Sequence, residues 1–463
     1  MGRLSEDEKK KVSGESLDNK LDKEIIMEFG GPLGCLAIMI IAPTIMYYYW
    51  ICLTFYKGQG QYPTSLDEVK PFFSTMWGHV KEDAFPTIYG GQIYLGFTVF
   101  QAILSMIMPG PIIKGLPVPS LGGRQLDYLC NGVSSWYLTL ILAFTLHYTG
   151  WFPLTELIDN FGPVMTWSII TGNAVTVLTY IGAFLTKTTH RMSGSFLYDL
   201  FMGACLNPRI RNLDLKMWSE IRIPWKILFF ISLSAAFKER ELNGSISPEM
   251  LFMVLAHFLY VNACMKGEEC IPTTWDIFYE KWGYMLIFWN FSGVPFSYCY
   301  STLYLLNMRL GGQPVTSSAA WLAMVYSLLI CGYLVWDTAN SQKNKFRMAQ
   351  KGTFIKRHTF PQLPWSILEN PSYIKTEHGN LLLTGGWWGI ARKIHYTADL
   401  MMALSWGLVS HFDSWIPYFY FCFFLIVLTH RVTRDMERCA AKYGADWERY
   451  CKRVPYIFIP GLF

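Results

Sequence analysis

The run "HRVTRDMERCAAKYGADWERY", residues 430–450, follows directly on the apolar stretch "YFYFCFFLIVL" and carries more chemistry than a membrane exit requires. Taken as a helix, Arg431, Asp435, Cys439 and Tyr443 fall at i, i+4, i+8 and i+12, along one slowly drifting face. Arginine offers a planar fork of donors suited to phosphate. Asp435 suits holding that fork, or accepting a hydrogen bond from an amide or a ribose. Tyr443 and Tyr450 suit stacking on a ring or donating to phosphate. Arg434, Arg438 and Lys442 form a neighbouring basic stripe. The same pattern describes an amphipathic helix lying on a membrane surface. Spacing alone leaves both readings open.

Three other runs carry comparable groups. In "TANSQKNKFRMAQK", Lys343 and Arg347 are one helical turn apart and face one way, towards a phosphate or towards lipid headgroups. In "LLLTGGWWGIARKIHYTADLM", Gly385 and Gly386 permit a tight turn, and Trp388 and Tyr396 suit covering a flat ring. Asp399 heads an apolar span, where an acid reads either as functional or as a helix N-cap. In "HFLYVNACMKGEECIPTTWDIFYEKWGY", Tyr260 lies in an apolar run, with Glu268, Glu269, Asp276 and Glu280 just beyond it. Buried phenols and acids serve as proton donors when their environment shifts them. They serve equally as interfacial anchors. No GxGxxG follows a strand pattern and no GxxxxGK[ST] occurs, which argues against Rossmann and P-loop nucleotide sites. Eleven Cys without a CxxC and nine dispersed His without an HExxH point to no metal site. His147 and His257, inside apolar runs, read as packed or hydrogen-bonded side chains.

The elements that must position these residues are membrane helices. The chain is 52% hydrophobic and 16% charged, well below the charge of an ordinary soluble domain. Residues 33–56 hold no charged side chain, and about 20 such residues cross a bilayer core as a helix. Ten spans are expected, near 33–56, 88–109, 131–150, 163–186, 224–237, 248–264, 283–306, 319–337, 399–411 and 415–430. The fifth and ninth are short. With loops assigned to alternate sides, 33 of the 39 Lys and Arg fall on the side that holds both termini. Positive residues stay cytosolic, so an all-α polytopic membrane protein with both termini in the cytosol is expected. Residues 1–28 are charged, lack a signal-peptide core and read as a mobile cytosolic tail. The first span would then act as an uncleaved insertion signal. Residues 29–237 would form helices 1–5, and residues 238–463 helices 6–10. Two cytosolic segments, residues 338–398 and the C-terminal tail, hold 16 of the 39 positive charges. They suit anionic lipid or a polyanionic cofactor.

Two longer runs carry a family resemblance. "GSFLYDLFMGACLNPRI" (Gly194 to Ile210) resembles the GxxxYDxxxGxxLNPR signature of the sterol reductases, and "HRVTRDMERCAAKYG" (His430 to Gly444) resembles their HRxxRDxxxCxxKYG signature. The likeness runs from about residue 27 to Phe463. It extends to "EFGGPLG", "KGEECIPTTWD", "MLIFWN", "DTANSQKN", "RKIHYTADL" and "VPYIFIP", which within the family resemble the members acting on the Δ24(28) bond of the sterol side chain. The resemblance implies ten membrane helices and an NADPH pocket in the C-terminal half. By motif, cofactor contacts would fall on Lys343, Arg347, Leu383, Trp388, His395 and Tyr396, and on Arg431, Asp435, Cys439, Tyr443 and Tyr450. The family's catalytic tyrosine falls on Tyr260, with Glu268 and Asp276 supporting it and Asp399 orienting the donor or the nicotinamide amide. The wider family reads RHxNYxGD where this chain reads "RKIHYTAD", so His395 replaces an Asn and Ala398 a Gly. Ala263 stands where relatives often carry Asp.

The implied reaction is NADPH-dependent reduction of the side-chain Δ24(28) bond, the last step of ergosterol biosynthesis, in the endoplasmic reticulum membrane. The sterol would arrive from the bilayer. Membrane lipids, and association with other enzymes of sterol synthesis, are the remaining partners the resemblance allows; no nucleic acid is expected. Rival readings are reduction of a Δ7 or Δ14 ring bond, a non-enzymatic sterol-binding membrane scaffold, and a membrane methyltransferase with a related C-terminal half.

Overall fold

The structure, a computed structural model, describes residues 25, 27–118, 121–352, 354 and 363–461. The expected tail over residues 1–28 lies almost wholly outside the described residues. Helices stand at all ten expected places. Six are long and apolar enough to cross a membrane: Gly31–Phe55, Ile88–Ile107, Phe161–Leu185, Pro248–Lys266, Ala319–Lys351 and Ile416–Tyr443. The other four depart from a simple span. Gly132–Tyr148 has 17 residues, and Ile394–Leu408 has 15. Pro224–Asn243 carries Lys226 in its first turn, buried and donating to Gln101 Oε1 at 2.5 Å. The seventh is broken: Tyr284–Phe288 and Val294–Ser297 flank a π-helical turn, Trp289–Gly293, before Tyr300–Leu310 begins. Such turns insert a residue into the helical ladder and turn side chains inward; here Asn290 and Ser292 are buried.

Local signals explain the boundaries. Ser247 accepts from Met250 N ahead of Pro248 and opens Pro248–Lys266, and Thr87 accepts from Gly90 N at the head of Ile88–Ile107. Gly244, at φ 74°, closes Pro224–Asn243 in the left-handed conformation. Two helices outrun their apolar parts. Ala319–Lys351 continues past residue 337, and Phe419–Tyr443 past residue 430, so the charged runs that follow each span are rigid helical extensions of it. Among the described residues, three two-stranded hairpins add strand to the helices: Ile112–Val118 with Arg124–Leu129, Arg209–Ile210 with Leu213–Asp214, and Tyr373–Lys375 with Leu381–Leu383. The all-α expectation missed them because short pairings leave little periodic signal. The last turns at Gly379, φ 80°.

The chain divides into two compact units, one of Ile25–Leu322 with Trp406–Phe419, the other of Ala323–Ser405 with Tyr420–Phe463. Within the first, aromatic side chains fill the core, Trp136 meeting Phe229 edge-on at 5.2 Å. The first signature is a structural joint of this unit. Asp199 accepts from the backbone of Ser193 and Gly194, Tyr198 OH accepts from Glu28 N at 3.0 Å, and Arg209 pairs with Asp214 at 3.1 Å. Gly203 has φ 101°, and an added Cβ would lie 2.5 Å from the backbone of Trp282. Only glycine meets both conditions. Lys216 donates to the carbonyls of Ile277 and Glu280, and burial lowers its pKa to about 8.

Candidate functional site

All eleven residues expected at a cofactor lie in the second unit, on six local elements. The Ala319–Lys351 helix carries Lys343 and Arg347 one turn apart. The turn Gly386–Gly389 docks against that same helix. Trp387 N donates to Gln342 Oε1 at 3.0 Å, Trp387 Nε1 to Thr338 Oγ1 at 2.8 Å, and Trp388 Nε1 to Ala339 O at 2.8 Å. Gly386 makes the approach possible: its φ is 59°, and a Cβ there would sit 2.4 Å from Gln342 Oε1. Trp388 is thereby fixed face-on to Lys343, whose Nζ lies 3.8 Å from the ring centroid, a cation–π contact of about 0.5–2 kcal/mol. Leu383, on the last hairpin, is buried.

His395 and Tyr396 open the Ile394–Leu408 helix. The His395 ring lies 4.9 Å from Trp388 and 4.1 Å from Tyr396. Burial first, then the positive charges of Lys343, Lys393, Arg431 and Arg347, push its pKa well below the ordinary histidine value. Its Nδ1 is shielded from solvent and has no hydrogen-bond partner among the described residues. On Phe419–Tyr443, the expected ladder of Arg431, Asp435, Cys439 and Tyr443 falls on a single continuous helix. Cys439 Sγ lies 3.9 Å from Asp435 Oδ2, and Asn380 donates to Tyr443 OH at 3.4 Å. Tyr450, on Ala445–Arg453, is buried against Trp447, and burial raises its pKa.

The chemistry of this set suits an anionic dinucleotide. Four basic side chains act together on one shielded imidazole, and burial, then the charges of Arg347 and Lys393, push the pKa of Lys343 itself well below the ordinary lysine value. Like charges at close quarters in a low dielectric repel strongly unless an anion joins them. Aromatic faces at Trp388 and Tyr396 suit a flat ring, and the neutral imidazole suits a hydrogen bond that the protein itself leaves unmade. Among the described residues no cluster of three or more His, Cys, Asp or Glu suits a metal ion. One member of the set was missed by the sequence reading. Lys393 stands 2.5 Å from Asp435 Oδ2. Its only local signal is a lysine two residues before His395; the partner is 42 residues further on.

Three of the four expected catalytic residues, Tyr260, Glu268 and Asp276, lie in the first unit, and Asp399 lies in the second. Tyr260, on Pro248–Lys266, is 7% exposed, with its ring 4.4 Å from Trp225 and 5.9 Å from Trp406. One turn earlier, His257 Nδ1 is 2.7 Å from Ser232 Oγ, which is 2.7 Å from Thr302 Oγ1. His257 also meets Trp406, at 4.4 Å, and is a hydrogen-bonded side chain as expected. Glu268 is engaged on both oxygens. Oε1 is 2.5 Å from the Arg222 guanidinium, and Oε2 accepts from Gly132 N at 2.6 Å. Arg222 also donates to Asn131 Oδ1 at 2.6 Å. A carboxylate held in this way anchors the start of Gly132–Tyr148. Asp276 lies in the first turn of the short helix Trp275–Phe278 and is partly buried, with its charge acting on Lys216. Asp399 is buried in the second turn of Ile394–Leu408.

Residues 23–463 match the family described as ergosterol biosynthesis ERG4/ERG24. The chain is 46% identical to the Delta(24(24(1)))-sterol reductase erg4A of Aspergillus fumigatus, over 99% of this chain and 96% of that protein. It is 44% identical to the Delta(24(24(1)))-sterol reductase of Gibberella zeae, over 96% of this chain and 74% of that protein. To the Delta(14)-sterol reductase of Dictyostelium discoideum it is 39% identical, over 94% of this chain and 92% of that protein.

Proposed function

We propose, from the premise that this chain belongs to the ERG4/ERG24 family of ergosterol biosynthesis, that it is the NADPH-dependent reductase of the Δ24(28) bond of a sterol side chain, the last step to ergosterol. The protein is a multi-pass membrane sterol reductase. The bond that its fungal relatives' names give as Δ24(24(1)) is the same exocyclic methylene as Δ24(28). The observation that carries the choice of bond is the higher identity to those two reductases, 46% and 44%, against 39% to the Δ14 enzyme. Reduction of the Δ14 ring bond is the second reading, favoured by that third relative.

An isolated alkene is a poor hydride acceptor and must first become cationic. Tyr260 gives its phenolic proton to the terminal CH₂, which leaves the positive charge on the tertiary side-chain carbon. NADPH, when bound, would supply the hydride that this cation needs. The phenolate then recovers a proton from water. Trp225 and Trp406 flank Tyr260 and keep water from the cation. Glu268 supports the donor through its ion pair with Arg222, which holds the surrounding frame. Asp276 supports it through the same unit's charge network. Asp399 orients the nicotinamide amide.

Lys343, Arg347 and Arg431 would hold the phosphates, and their charges would favour the extra phosphate of NADPH over NADH. Trp388 and Tyr396 would flank a ring, His395 would meet an amide or hydroxyl, and Asp435 would accept from a ribose or amide. Leu383, Cys439, Tyr443 and Tyr450 would wall the rest. Ten spans with both termini in the cytosol, supported by the 33 positive residues on one side, belong to the proposal, as does the endoplasmic reticulum membrane. Sterol-dependent NADPH oxidation by purified protein tests it. The Δ24(28) sterol should be consumed, with Δ7 and Δ14 sterols and NADH far slower. Reduction of a ring bond alone would replace the proposed substrate, and no product with any sterol would leave a binding scaffold.

A further inference from the structure

Lys393 is built into the fold more firmly than a surface lysine needs to be. Its N–H donates to Ile457 O at 2.8 Å, and the neighbouring Arg392 N to Tyr456 O at 2.9 Å. Thr397 Oγ1, just beyond, donates to Phe458 O at 2.7 Å. The C-terminal run "VPYIFIP" thus straps the entry to the Ile394–Leu408 helix on three consecutive carbonyls. The side chain is enclosed, 11% exposed, and its ammonium meets Asp435 Oδ2 at 2.5 Å. Cys439 Sγ approaches the same oxygen. Among the described residues Oδ1 receives no hydrogen bond, and the Asp435 side chain is 43% exposed. The pair therefore has a closed side, the lysine, and an open side, the second carboxylate oxygen.

We propose that Lys393 is a positioning residue of the cofactor site: its ammonium fixes the Asp435 carboxylate so that Oδ1 accepts from an N–H or O–H of the dinucleotide. The proposal rests on the reading of this cluster as an NADPH site. A carboxylate beside bound phosphates repels them unless a cation offsets it. A carboxylate held by one oxygen also keeps the other aimed, which spares the ordering cost at binding. Lys393 meets both needs at once. The C-terminal strap explains why it can: it fixes the lysine backbone before the side chain reaches out.

The test measures NADPH affinity of the full-length protein in detergent, by energy transfer from tryptophan to the reduced nicotinamide, with melting temperature as a control. Lys393→Met should weaken NADPH about tenfold to a hundredfold, and Lys393→Arg should restore binding to within about threefold. A double-mutant cycle identifies the route. If Lys393 acts through Asp435, adding Lys393→Met to Asp435→Asn weakens binding less than about threefold further. Multiplying effects would mean that Lys393 binds the cofactor independently and would overturn the proposal, as would unchanged affinity in Lys393→Met. Should Lys393→Met fail to fold, the Lys393→Arg and Asp435→Asn comparison still decides: loss of affinity in both by the same factor contradicts a role that arginine can fill. Wild-type protein that binds no NADPH would instead remove the cofactor-site reading itself.

Discussion

Replacing Glu268 by Gln separates an anchoring role from a chemical one. The change keeps the shape and one acceptor but removes the charge that faces Arg222. That guanidinium is 2% exposed, and its remaining hydrogen bond to a side chain goes to Asn131. Breaking a buried ion pair costs about 3–5 kcal/mol when a charge is left uncompensated. Because Gln still accepts a hydrogen bond, roughly 1.5–3 kcal/mol is expected for Glu268→Gln. Glu268→Ala should reach the full figure, since it also orphans the Gly132 amide. Removing both charges, as Arg222→Met with Glu268→Leu, should recover part of the loss, because a well-packed apolar pair replaces a buried ion pair at little cost. The assay is the apparent melting temperature in detergent at one scan rate, with turnover normalised to the folded fraction. The folded Glu268→Gln protein should keep turnover within a few-fold of wild type. Wild-type melting with a hundredfold loss of kcat would refute the anchoring argument and make Glu268 a participant in proton transfer.

Tyr260→Phe should lower kcat by about 10²- to 10⁴-fold, the usual weight of a positioned acid, with NADPH and sterol binding intact; full turnover in a normally folded variant would remove Tyr260 as the donor. His395 should stay neutral through the physiological range, because burial and four cations hold its pKa below the ordinary histidine value. It would gain a proton only on acidification beyond that range, so the pH profiles of NADPH affinity for wild type and His395→Asn should run parallel between pH 6 and 8. A step near pH 6.5 seen only in the wild type would contradict this. Gly386→Ala forces a side chain into the left-handed region, costing about 1–3 kcal/mol, and into contact with Gln342; reduced stability and weaker NADPH binding are expected, and wild-type values in both would show that the turn can re-form elsewhere.

The apolar runs made the helices legible, because their signal is local. So was the ladder Arg431, Asp435, Cys439 and Tyr443, whose four-residue spacing needed only a helix to become a face. Gly385 and Gly386 announced a turn, though not that Gln342 lies beneath it. The pairings were not legible. Lys393 with Asp435 and Arg222 with Glu268 join residues more than 40 positions apart, where no periodicity connects them. The sequence reading set Glu268 beside Tyr260 as a group serving the proton donor; the structure shows its carboxylate committed to a guanidinium and a backbone amide. The π-helical turn at Trp289–Gly293 was equally silent, since Asn290 and Ser292 are isolated in an apolar run and set no period of their own.

The reaction can be followed atom by atom. NADPH carrying deuterium at the transferred position of C4, given with a Δ24(28) sterol to the purified enzyme, should place that deuterium on the tertiary side-chain carbon. Unlabelled NADPH in deuterated water should place solvent deuterium in the new methyl group. The opposite pattern, or label on a ring carbon, would contradict the account.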